Sequence, residues 1–263
     1  LIKTFDKFPK FKSACKINIL EKSYFLKKIQ KENIKKKNVK WIKNLNEVDS
    51  LPSLFIANEF FDALPIKQFI KKENNWFERH VKFAQLKKPE FVDLLFNMKK
   101  FEKKIQIEIS KNQKFIEYSQ LKIDYLKIIT KKIEANNGGL LIIDYGYFDK
   151  KIKNTLQAVC NHKYSNVLDN FGKSDITYNL NFYFIEQLIK KFGSFHSIIT
   201  SQKKFLTSLG ILQRAEILTK NMPFTQKADI YFRIKRLIDK DAMGELFKVM
   251  FITKKDNKFK LGF

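Results

Sequence analysis

Glu59 and Asp62 stand three residues apart in the stretch ANEFFDALP, with Asn58 directly before them, and Asp144 precedes Tyr145 in GGLLIIDYG. Each group follows a short apolar run, as does Glu21 in KINILE. Burying an unpaired carboxylate is costly, so acids at the ends of core-bound runs need a cation, a donor or water. One shared cleft satisfies all of them at once. An acid after the second strand of an α/β sheet also accepts hydrogen bonds from a ribose, whereas any single one could simply cap the helix that follows it. Other chemistries lack their parts. There is no nucleophile elbow and no His pair with helical metal-ligand spacing. His80 and His196 fall in strand-like runs and read as structural. Cys15 and Cys160 lie outside any CxxC, so no metal site or disulfide framework is expected.

The elements that must position these residues are legible from periodicity. KINILE, SLFIANE and GGLLIIDYG are continuous apolar runs of the kind buried on both faces of a parallel sheet, and Val39–Ile42 is a fourth. Helical patterns lie between them, over about residues 23–34 and over a stretch that sets Tyr118, Leu121, Tyr125 and Ile129 on one face. Strand and helix in alternation predict a doubly wound α/β sheet, mostly parallel, whose ligands bind outside the carboxyl ends of the strands. IKQFI and WFERHVKF around KKENN predict an inserted hairpin, and Lys87–Lys114 reads as a lysine-rich surface excursion. Asn181 caps a helix to Phe192, a last helix covers about 225–238, and Leu246–Ile252 is a closing strand.

The chain of 263 residues carries 52 Lys and Arg against 27 Asp and Glu, a net charge of +25. Only Arg79, Arg214, Arg233 and Arg236 are arginine; the other 48 are lysine. Nucleic-acid sites favour the guanidinium fork, so the excess reads as a solvated lysine surface and no nucleic-acid partner is expected. No apolar run approaches the ~20 residues of a membrane span, and the opening residues show no signal-peptide pattern. A bacterial cytoplasm is the expected compartment, with a mitochondrial matrix as the alternative.

ANEFFDALP followed by WFERHV resembles the central signature of the MidA family of S-adenosylmethionine-dependent methyltransferases, which includes a mitochondrial arginine methyltransferase that assists complex I assembly. ILEKSYFLKKIQ, GGLLIIDYGY, the run TLQAVCNHKYSNVLDNFGKSDIT with the NF that follows, SQKKFLTSLGI and MGELFKV match the same family in the same order, over about residues 17–252. The resemblance implies methyl transfer from S-adenosylmethionine to a protein, on an arginine guanidinium, and a respiratory complex I subunit as a partner. It also implies roles. Glu21, with Asn58, would bind the cofactor. Asn58, Glu59 and Asp62 would lie between cofactor and acceptor, and Asp144 and Tyr145 would close the acceptor side. His162, Asp175 and Thr177 would belong to the substrate side. A non-catalytic assembly factor that holds a partner subunit is the rival implication.

In one respect the chain departs from the family. Its eight glycines form no Gly-x-Gly, the turn that lets backbone approach the cofactor. The first match is to the family's second strand, and the opening LIKTF reads as the tail of a helix. The expectation is therefore one incomplete methyltransferase-like domain over residues 1–263, with a hairpin and helical insertion at 66–135 and a substrate-side segment at 151–221. Its first strand and cofactor loop would lie upstream, and the chain alone would be inactive.

Overall fold

Bounded apolar runs become strands, and apolar residues spaced three and four apart make the helices between them. A computed structural model of the chain describes residues 2–34, 38–85, 87–161, 163–257 and 259–263. The chain divides into two compact units, Leu1–Leu51 and Pro52–Phe263. The first holds α1 (Ile2–Phe5), α2 (Pro9–Ala14), β1 (Ile17–Leu20), α3 (Tyr24–Asn33) and β2 (Val39–Ile42). β1 and β2 pair in parallel, Ile17 opposite Val39 and Leu20 opposite Ile42. Parallel pairing requires a crossover, and α3 supplies it. Ser23 starts that helix as its N-cap, its hydroxyl accepting the Leu26 N–H at 3.2 Å.

In the second unit the chain forms β3 (Ser53–Asn58), β4 (Lys67–Lys72), β5 (Asn75–Lys82), β6 (Glu90–Phe96), α4 (Met98–Ile105) and β7 (Phe115–Tyr118). There follow α5 (Gln120–Asn136), β8 (Gly138–Tyr147), β9 (Gln157–Cys160), β10 (Lys163–Ser165), β11 (Asp175–Thr177), β12 (Leu180–Asn181) and α6 (Phe182–Phe192). The last elements are β13 (Phe195–Ser201), α7 (Gln202–Ser208), α8 (Ile211–Thr219), α9 (Phe224–Ile238) and β14 (Phe247–Lys254). β8 is the centre of the main sheet. β3 runs parallel to its first half, Ser53 opposite Gly138 through Asn58 opposite Ile143. β12 runs parallel to its last two residues. β14 lies antiparallel on the other edge, with β13 outside it. The sheet is thus mostly parallel, β14 alone opposing, as the alternation of elements predicts.

Two amphipathic helices cover this sheet. Ile123, Leu126, Ile129 and Ile133 of α5 are buried, as are Leu140 and Ile142 of β8 and Ile185, Leu188 and Ile189 of α6. Both helices pack on β8. The expected hairpin is β4–β5, and β6 and β7 extend it to a four-stranded antiparallel sheet.

The structure corrects three boundaries. Lys87–Lys114 is not a featureless excursion, because it contains β6 and α4 and buries Met98, Ile107 and Ile109. Lys99, Lys100, Lys103 and Lys104 face solvent while Phe101 packs on Phe69, Phe96 and Tyr118, so a narrow apolar stripe suffices for this helix. Tyr118 ends a strand instead of entering a helix, since Ser119 caps α5 by accepting the Lys122 N–H. β8 also continues past Asp144 to Tyr147, because β12 arrives to pair with it.

β3 and β8 approach closely at Gly138, which has φ +115°, and a Cβ there would stand 2.0 Å from the Ser53 carbonyl oxygen. Gly138→Ala is expected to destabilise the second unit by about 1–3 kcal/mol, read as a lower urea midpoint at unchanged slope. An unchanged midpoint would contradict this close approach.

Candidate functional site

Side chains alternate across a strand, and in β8 the residues Leu140, Ile142, Asp144 and Gly146 form the buried row. Asp144 is therefore carried inward by the same period that buries two core aliphatics, and it is 0% exposed. β3 stops opposite Ile143 and β12 begins opposite Gly146, which leaves Asp144 and Tyr145 without a strand on that edge. The chain leaving β3 crosses here. The Glu59 N–H makes one last bond to the Ile143 carbonyl at 3.0 Å, and Glu59 then turns the backbone with φ 47°. Non-glycine residues adopt that conformation only under constraint, and such strain gathers at functional sites. The Phe61 and Asp62 N–H groups donate to Asp144 Oδ2 at 3.1 and 3.3 Å, and the Tyr145 N–H donates to Oδ1 at 2.9 Å. Phe61, fully buried, anchors the turn.

Asp62 is brought in beside Asp144. It is 3% exposed, its Oδ1 has no hydrogen-bond partner, and its carbonyl accepts the Tyr178 N–H at 3.2 Å. Burial, with Glu59 close by, raises the Asp62 carboxyl to about 6. Burial and the Asp62 charge raise Asp144 to about 8, against the pull of its three backbone donors. The two titrate as a pair. Burial, then Glu59, Asp62 and Asp144 in turn, also raises the Tyr145 phenol, whose ring lies 4.1 Å from that of Phe247. Three carboxylates and a phenol thus share one neighbourhood at the switch from β3 to β12. Such a site favours a cationic ligand.

Of the residues singled out in the sequence, Asn58, Glu59, Asp62, Asp144 and Tyr145 meet here, with Asn58 Nδ2 donating to Glu59 Oε1 at 3.3 Å. Asp175 is exposed on β11, and Thr177 accepts from Gln157 Nε2 at 3.2 Å within the small β9–β11 sheet. Their neighbour Tyr178 reaches the acids in their place. His162 lies outside the described residues. Glu21 stands after β1 in the first unit, one oxygen accepting the Ser23 N–H at 2.8 Å and the other Gln30 Nε2 at 3.0 Å. Each oxygen retains a lone pair to accept from a ribose hydroxyl, so the acceptor chemistry suits a nucleoside cofactor. Sequence reasoning missed Lys122, Glu117 and Tyr178, which are buried behind the acid pair. The available signal was Lys122 lying in line with Leu126, Ile129 and Ile133 on the apolar stripe of α5. Among the described residues no group of three or more His, Cys, Asp or Glu could hold a metal ion, and no helix is long and apolar enough to cross a membrane.

A family model described as "Putative S-adenosyl-L-methionine-dependent methyltransferase" matches residues 1–200. The chain belongs to that family. S-adenosylmethionine is the family's cofactor. Among curated relatives, the mitochondrial protein arginine methyltransferase NDUFAF7 of Danio rerio is 26% identical over 208 residues, 79% of this chain and 49% of its own length. The Caenorhabditis elegans homologue is 29% identical over 184 residues, 67% of this chain and 42% of its own length. The chain therefore spans about half the length of these relatives. A Burkholderia thailandensis protein solved with S-adenosyl-homocysteine bound shares the fold with a TM-score of 0.76 at 21% identity, over 94% of this chain and 66% of that one. The mitochondrial names agree with the alternative compartment, while this structural neighbour is bacterial.

An acid whose pKa is higher folded than unfolded favours folding at low pH and weakens it as the pH climbs. The pair should therefore erode stability from the ordinary carboxyl value near 3.8 up to about 8. Asp62→Asn should flatten this decline and raise Tm at pH 8 by about 2–4 °C, the response of a domain of this size to about 1 kcal/mol. Calorimetric scans at pH 5 and pH 8 check it; parallel declines in both proteins would contradict the coupled pair.

Proposed function

We propose that this chain is the acceptor-binding and part of the cofactor-binding portion of a protein methyltransferase whose target is an arginine guanidinium. The observation that carries this reading is the buried Asp62–Asp144 pair, with its unpartnered Asp62 Oδ1, beside Glu59 at the end of β3. A carboxylate accepts two parallel N–H bonds from a guanidinium, and a cation relieves the repulsion between the two buried acids. The arginine methyltransferase names of the relatives support the same choice of acceptor.

S-adenosylmethionine supplies an electrophilic methyl group on a sulfonium sulfur when bound. In the second unit Asn58, through its amide, is the residue that would hold it; in the first, Glu21 has acceptor capacity for a ribose hydroxyl. What the protein does for such a displacement is to align the partners, which can supply roughly 7–11 kcal/mol of barrier reduction. Glu59 and Asp62 hold and orient the guanidinium in this reading, Asp144 fixes the turn that carries them, and Tyr145 walls the site. Methylation of a guanidinium nitrogen frees one proton, and Asp62 Oδ1 is the oxygen we assign to take it. A respiratory complex I subunit is the protein partner that the sequence resemblance implies.

A second reading is a binding module that holds a partner subunit without catalysis. It needs only the acid site described above and no bound methyl donor. Calorimetry separates the two in stages. An acetylated arginine amide should bind the chain while its citrulline isostere does not, and Glu59→Gln should weaken arginine binding by about tenfold, the loss of one charge-assisted bond. Equal binding of arginine and citrulline would overturn the acceptor assignment. S-adenosylmethionine should bind these 263 residues alone more weakly than micromolar, and micromolar binding would show that no glycine-rich turn is required.

A further inference from the structure

α9 is apolar around more of its circumference than the protein covers. At about 100° per residue, its apolar side chains follow one another around an arc of about 220°, broken by Lys227 and Lys235. Packing on one neighbouring layer needs roughly half of that. The inner half of the arc is Ile230, Ile234, Leu237 and Ile238, all half-buried, and α9 packs on α7 and α8. Gln202 Nε2 donates to the Leu237 carbonyl at 3.0 Å and fixes the end of the helix. The outer half is Phe224, Ala228, Tyr231 and Phe232, at steps of four, three and one. Phe224 is 83% and Phe232 71% exposed, and at the turn between α8 and α9 Ile217 is 76% exposed.

The charges nearby complement a phosphate. Over residues 211–240 seven Lys and Arg stand against three Asp and Glu. Arg214, Arg233 and Arg236, three of the chain's four arginines, lie in α8 and α9. Elsewhere lysine supplies nearly all the positive charge, so this is a local change of chemistry: the guanidinium fork takes phosphate oxygens two at a time. Around the helix, Arg236 borders the outer stripe beside Phe232, Lys227 borders its other edge, and Lys235 lies within it. A lysine stem can stay among aromatic rings while its ammonium reaches phosphate level. Asp229 is held by Arg233 at 2.9 Å on the side away from the stripe, and the exposed Lys235–Asp239 pair, at 3.9 Å, is weak enough to exchange.

Aromatic side chains exposed to this extent stand out from a convex surface instead of lining a groove for a peptide. A lipid interface needs no matching cavity and takes aromatic rings at headgroup level with basic groups beside them. We propose that α9, with the turn before it, is a peripheral docking face for a bilayer surface of anionic phospholipids. Phe224, Tyr231 and Phe232 enter the boundary between headgroups and acyl chains, and Lys227, Lys235 and Arg236 meet lipid phosphates. Fifteen residues are too few to cross a bilayer, but lying flat requires only the stripe. The acid site takes no part, so this face is independent of the acceptor that site holds.

Flotation of the 263-residue chain with vesicles tests this, using phosphatidylcholine alone and an equal mixture with phosphatidylglycerol. A net charge of +25 by itself draws a protein to the mixed vesicles, so the decisive comparison holds charge constant. Phe224→Ser combined with Phe232→Ser should weaken binding to mixed vesicles at least about tenfold, whereas Lys99→Gln with Lys103→Gln on α4 should weaken it less. Equal binding by the unaltered chain and the serine pair would overturn the proposal, because the lysine surface would then account for the attraction. A second measurement keeps the ring in place. Phe232→Trp should show emission shifted to the blue by mixed vesicles, beyond any shift of Trp41 and Trp76 in the unaltered chain; no added shift would equally overturn it. A dimer in sedimentation that the serine pair dissolves, with vesicle binding unchanged, would assign the face to a second copy of the chain instead.

Discussion

The Asp144 carboxylate, accepting three backbone N–H groups at the point where β8 exchanges one neighbour for another, is the interaction on which the site depends. β3 must leave the sheet after Asn58, and β12 must not join before Gly146, for this carboxylate to meet the crossing turn. Gly146 permits β12 to join where it does, since a Cβ there would stand 2.4 Å from the Leu180 carbonyl oxygen and 2.5 Å from the Phe182 ring. Strand register thus becomes chemistry: it points Asp144 inward, bends the chain at Glu59 and delivers Asp62 to the same buried volume.

That arrangement opposes stability to function. Two buried acids beside each other, with an unpartnered oxygen on one, cost the fold free energy that aliphatic residues of similar volume would not. The structure offsets part of it through the three backbone donors to Asp144. What remains is a buried acid pair whose mutual repulsion a cation would relieve. This matches a protein that orients a cationic side chain, and it is consistent with a family that uses a sulfonium methyl donor.

Much of the fold is legible in the residue order because β1, β3 and β8 are apolar runs ended by polar groups, and because Ser23 and Asn181 announce their helices as N-caps. The acids could be found for the same reason: a carboxylate that interrupts an apolar run stands out. Lys122 could not, in a chain where lysine is the commonest charged residue and only tertiary packing distinguishes a buried one. Glu117 was hidden likewise, its role set by Gln68, Thr155 and Leu156, which are distant in sequence. Asp175 stays exposed and Thr177 bonds Gln157, whereas Tyr178, the next residue, turns inward, a difference that strand pairing sets and residue type does not announce. α4 was obscured because its four lysines outweigh one apolar residue per turn.

Amide hydrogen exchange at Phe61 and Asp62 tests the central claim most directly. If the Asp144 carboxylate pins this turn, both amides should be as protected as those at the centre of β8, and Asp144→Ala should speed them by at least about 100-fold, the loss of about 3 kcal/mol from bonds to a charged acceptor. Exchange at the rate of an open loop in the unaltered chain, or rates that ignore the loss of Asp144, would contradict the account.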